Sequence, residues 1–130
     1  MFATKSPIPW LALPVVAGIA LHTYEFTFAT GSGSSSFAIW LLAWSVLPFA
    51  VALVLSRLRF GPAKAAGFAW ASLLGSVYMH FSVFLQPTAS TAALGLLFMP
   101  LWNLLLLGPV GLLVAWGLGA SNSRSGSNAA

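Results

Sequence analysis

The sequence predicts an all-α integral membrane protein, a four-transmembrane-helix bundle with both termini in the cytoplasm. Three observations predict it. First, 59% of the 130 residues are hydrophobic and 5% are charged, against roughly 25% charged in a soluble domain. The mean hydropathy of +0.95 leaves too little polar surface to face water. Second, the apolar residues fall into four long stretches separated by Gly, Pro and Ser. Third, three of the five basic residues, Arg57, Arg59 and Lys64, crowd into one turn between two of those stretches.

Residues 1–120 read as a single transmembrane domain, with spans at about 8–28, 37–56, 65–85 and 91–118. The head, Met1 to Pro7, carries Lys5. The heart of the first span, Ile8 to Leu21, is short enough for a signal-peptide core, but no small-x-small cleavage site follows it, so a retained helix is expected. Gly31 to Ser36 reads as a flexible loop. The second span holds Pro48, which should bend it. Gly61-Pro62 marks the reversal inside the basic turn. Gln86 to Ser90 reads as a short polar turn, with Ser90 or Thr91 capping the last helix. The fourth span contains Pro100 and Pro109 and would reach roughly 42 Å, more than the ~30 Å hydrocarbon core. Residues 121–130 read as a disordered Ser/Asn/Gly tail.

Orientation follows from charge. The basic turn, Lys5 and Arg124 all fall on one side, and the other two loops carry no basic residue. Positive residues stay inside, which places the chain in the inner membrane with both ends in the cytoplasm. The basic residues are thereby explained as topology signals and headgroup contacts, and nucleic acid is not an expected partner. The expected partners are the bilayer and other membrane subunits, or a second copy.

The third stretch organises the rest. Ala63, Gly67, Ala71 and Gly75 recur every fourth residue, forming a small-residue line that permits close helix packing in lipid. Ser72, Ser76 and His80 form a second line at the same spacing. Either the two lines serve packing alone, or the second borders a polar pocket. In the fourth span Asn103 falls near the depth of Ser72, so its amide should bond across a helix pair.

The first and third spans also echo each other. Each begins near a lysine and ends near a histidine with a tyrosine two residues away, Tyr24 by His22 and Tyr78 by His80. A worn duplication and the general liking of aromatics for interfaces both account for this.

Helix length puts His22 and His80 at a similar depth, and Glu25 shares a helix face with His22. These three side chains are the candidate metal set, since two imidazoles and a carboxylate suit a divalent ion such as zinc. The same set could accept a proton. They match no spaced metal motif. Other chemistry is excluded: the chain has no cysteine, no aspartate, a lone glutamate and no phosphate-binding Gly-rich loop with lysine.

The expected function is therefore non-enzymatic, an accessory or scaffold subunit of a membrane complex with no cofactor called for. The alternatives are a small oligomeric transporter or channel, using Ser72, Ser76, His80 and Asn103, and a metal- or haem-binding protein using His22 and His80.

Overall fold

The computed structural model describes residues 8–29, 36–85 and 92–127. The head with Lys5, the loop up to residue 35, the turn at Gln86 to Ser90 with the Thr91 cap, and the last three tail residues lie outside them.

The described chain is all helical, in four segments. The first is α1 (Ile8–Tyr24), which widens into a π turn at Glu25–Ala29. The second is α2 (Ser36–Arg57). The third is α3 (Gly61–His80), which ends in a π turn at Phe81–Leu85. The fourth runs through α4 (Ala92–Trp102), a π turn at Asn103–Leu107 and α5 (Gly108–Ser127). Three stretches are long and apolar enough to cross a membrane: Ile39–Arg57, Gly61–Leu85 and Leu97–Ala120.

Two boundaries differ from the sequence expectation. The third helix starts at Gly61, not Ala65, and so takes Lys64 into its first turn. Gly61 sits at φ +71°, a conformation nearly free for glycine, and Pro62 is suited to the first helical turn. The reversal is thus complete within Leu58 to Phe60. The last helix continues to Ser127, through residues 121–127 where a disordered tail is expected. Extending an existing helix needs no new nucleus, so polar residues can add to its end.

The centre of the fold is α3, which packs against α1, α2 and α5 and touches α4. Its buried face is Ala65, Ala66, Phe68, Ala69, Ser72, Leu73 and Ser76. Leu11 and Val15 of α1 and Phe49 and Ala52 of α2 complete the core. The core is rich in alanine, while Trp, Leu, Ile and Val side chains face outward along every segment. Helices in lipid gain little by hiding apolar bulk from one another and gain more by close approach, which small residues allow.

Three prolines within the helices, Pro14, Pro48 and Pro100, are almost wholly buried. Proline lacks an N–H, so it frees the carbonyl four residues earlier. Pro14 frees that of Trp10, and the Trp70 indole N–H donates to it at 3.0 Å. Pro100 frees that of Leu96, and the Trp44 indole donates one residue on, to the Leu97 carbonyl, at 2.9 Å. Within helices that face lipid, such donors replace the water that would otherwise satisfy a broken ladder. These two indoles tie α3 to α1 and α2 to α4. Their aromatic character suggests interface residues, and only the proline spacing signals the ties.

Candidate functional site

The first candidate site lies where α1 and α3 end. His22 occupies the last turn of α1, and Glu25 opens the π turn that follows. His80 closes α3, and the second π turn begins at the next residue. The Trp70–Trp10 bond joins the middle of α3 to the start of α1, at similar distances along the chain from His80 and His22, so the two histidines arrive together. His22 Nδ1–H donates to Glu25 Oε2 at 2.9 Å. His80 Nδ1–H donates to Glu25 Oε1 at 2.7 Å, across the helix pair. A single carboxylate therefore joins two helices through both of its oxygens.

The setting is largely dry. The side chains of His22, Glu25 and His80 are 7%, 14% and 23% exposed. The Phe49 ring of α2 stands 6.1 Å from the His22 ring and packs over Gly18, one turn before it. Phe84 and Tyr24 flank His80, with ring centroids 4.8 and 6.5 Å away. Low local dielectric strengthens hydrogen bonds to a charged acceptor and raises the cost of breaking them.

Each histidine spends Nδ1 on the carboxylate, which leaves Nε2 as its second functional atom. The His22 Nε2 is buried with no hydrogen-bond partner among the described residues. A carboxylate that fixes one ring nitrogen while the other stays open is the arrangement that orients metal-binding histidines. Here, however, Glu25 spends both oxygens on the two imidazoles and so serves as their partner and not as a third ligand. Among the described residues no three His, Cys, Asp or Glu side chains surround a common point suited to a metal ion.

The second candidate site lies between α3 and the π turn that starts at Asn103. Asn103 is buried, and its Nδ2–H donates to Ser76 Oγ at 3.1 Å. A methyl group added at Gly75 would sit 3.0 Å from Asn103 Oδ1, so the carboxamide lies close against α3. Asn103 Oδ1 and Ser72 Oγ are buried and unpaired among the described residues. The π turn has a local cause. Pro109 cannot donate to the Leu105 carbonyl and crowds it, and the Gly108 N–H reaches back to Asn103 O across the widened turn. Such single-turn π bulges often mark functional sites, and each of the three here begins at, or directly after, a residue of the two polar sites.

The two lines read from α3 fare differently. Gly67, Ala71 and Gly75 face the last segment: Gly67 meets the Gly111 backbone, Ala71 packs on Gly111, and Gly75 faces Leu107, Met99 and Asn103. Ala63, at the start of the same line, is exposed. In the polar line Ser76 and His80 serve different partners, Asn103 and Glu25, and Ser72 serves neither. Ser76→Ala is expected to destabilise the protein by about 1 kcal/mol, because it strands the Asn103 amide in an apolar interface. Unfolding of both proteins in mixed detergent micelles measures this, and equal midpoints would exclude a contribution from the pair.

The chain matches no protein-family model, no curated protein and no solved structure.

Proposed function

We propose that the protein is a multi-pass inner-membrane protein, a bundle of four spans with both termini in the cytoplasm. It acts without catalysis, as an accessory or scaffold subunit of a membrane complex. One observation carries this reading. In each of its two internal sites polar side chains are turned on one another, Glu25 on His22 within the first segment and on His80 across a helix pair, and Asn103 on Ser76 across another. Groups used as internal ties stiffen a small protein and leave its apolar outer face for contact with lipid and neighbours.

Topology is tested first. Reporter fusions at Gly61 and Ala130 should report cytoplasm, and fusions at Ser34 and Thr88 the outside. An external Gly61 would overturn the threading. The accessory role is tested by a photo-reactive residue at exposed Val16 or Val54, away from the hollow between α3 and α5, activated in native membranes. One discrete protein adduct is expected at either position, and adducts to lipid alone at both would refute the role.

A second reading, a small oligomeric transporter or channel, draws on the unpaired Ser72 Oγ and Asn103 Oδ1 buried within the helices. Unpaired polar atoms at such a depth are costly unless something passes or rests there. Flux of protons and small cations into proteoliposomes, abolished by Asn103→Leu, would favour it over the accessory role.

A further inference from the structure

The two polar sites do not account for the long hollow on the outer face of α3 and α5. It encloses about 470 Å³. Its floor is Gly67, Ala71 and Gly111, where the two helices touch, and its walls include Trp70, Leu74 and Val114. Along the last segment it extends from Leu107, at the end of the π turn, to Leu118 of α5, about 16 Å of helix. One leaflet of a ~30 Å hydrocarbon core is about 15 Å deep. The hollow is thus one leaflet long and apolar throughout. A second hollow of about 310 Å³ continues it, sharing Gly75 and Leu107.

The first hollow ends beside positive charge. Lys64 lies three residues before Gly67 in the first turn of α3, so the two share a helix face, one turn beyond the lining at that end. Arg59 lies in the turn before α3 and Arg57 closes α2, both exposed. No acidic side chain balances them. The chain's lone carboxylate side chain is Glu25, at the opposite end of α3 and held by two histidines. The anion that completes this end of the molecule must come from outside it. The continuing hollow has no basic side chain in its lining.

We infer that the α3–α5 hollow is a binding site for an anionic phospholipid of the leaflet on the basic-turn side. One acyl chain lies along Gly67, Ala71 and Gly111, and the headgroup phosphate meets Lys64, with Arg57 and Arg59 nearby. Charge complementarity at one end selects this occupant, and the first hollow is long enough for one acyl chain. A partner's transmembrane helix is apolar over its length and has no use for a cation at one end. The small residues of the floor gain a second role: they bring the helices together and keep the trough above them open.

The test uses the full chain, delipidated in detergent, with phosphatidylglycerol or phosphatidylcholine of identical acyl chains, and native mass spectrometry to read bound lipid. Near a membrane surface each basic residue strengthens an anionic contact about five-fold. Phosphatidylglycerol should therefore be retained at least five-fold more strongly than phosphatidylcholine. Lys64→Gln should remove about that factor for phosphatidylglycerol and leave phosphatidylcholine unchanged. Val114→Trp fills the trough from an exposed wall and should release both lipids. Unchanged helicity and a monodisperse elution confirm that each variant folds. Equal retention of the two lipids by the native chain would overturn the inference, as would undiminished phosphatidylglycerol binding by Val114→Trp. A dimer cross-linked through cysteine at Val114, formed equally with and without lipid, would assign the trough to a second copy and overturn it too.

Discussion

Glu25→Leu is expected to destabilise the protein by about 3 kcal/mol, the largest loss for any single polar side chain. The substitution leaves two Nδ1–H donors, on His22 and His80, facing a hydrocarbon side chain. Hydrogen bonds to a charged group contribute roughly 1.5–3 kcal/mol each, and a stranded buried donor adds its own desolvation penalty. For a chain of this size the loss lowers the thermal midpoint in detergent by roughly 10 °C. Glu25→Gln keeps a carbonyl acceptor for one histidine and should lose about half as much. The decisive measurement is a double-mutant cycle with His80→Ala, which isolates the bond between α1 and α3. A coupling of about 1–2 kcal/mol is expected for residues in one network. Strict additivity would mean that the carboxylate does not join the helices. Imidazole nitrogen-15 NMR gives a second readout, because both Nδ1 signals should move in Glu25→Gln. A His80 signal identical in the two proteins would separate His80 from the site.

Gly67→Leu and Gly111→Leu are expected to destabilise the protein by about 3 kcal/mol or more. At these glycines α3 and α5 meet backbone to backbone. A Cβ placed on Gly67 runs into the Gly111 carbonyl, and one on Gly111 runs into the Gly67 carbonyl. Main chain cannot yield as a side-chain tip can, so the helices must separate along their whole contact. Gly75 is a graded comparison. Its neighbours include the flexible ends of Leu107 and Met99, which can move, so Gly75→Ala should cost about 1 kcal/mol. Leu74→Ala should be nearly neutral, because Leu74 is 64% exposed and has lipid or detergent to exchange for its own methyls. Thermal unfolding of the four variants in one detergent gives the order. Equal midpoints for Gly111→Leu and Leu74→Ala would sink the close contact.

The first prediction concerns residues legible as a group in the sequence, and the second concerns a pairing that was only half legible. Helical spacing alone puts Glu25 on the His22 face and sets His80 at a similar depth. It could not say that both imidazoles use Nδ1, or that His22 Nε2 is left buried and unpaired, because ring orientation is set by packing. The small line on α3 was visible, but it did not name its partner. Gly111, Ala115 and Gly119 recur at the same spacing of four, the signal that could have found it, and Gly111 and Ala115 are the residues Gly67 meets. Asn103 could be placed in depth to within about a turn. The bond it makes to Ser76 depended on the π turn before Pro109, which shifts the register of everything after it.

The sequence by itself determined that this chain folds as apolar helices, where they are interrupted and which ionisable residues lie near their ends. Those properties are local sums over composition, period and turn residues. Tertiary structure alone decided three things: that one carboxylate serves two histidines, that prolines hand their freed carbonyl neighbourhoods to Trp70 and Trp44, and that close contact at Gly67 and Gly111 leaves a trough above it. In a helix embedded among others, the free energy of a polar or small residue depends on what stands across the interface, and a single helix's pattern does not contain that.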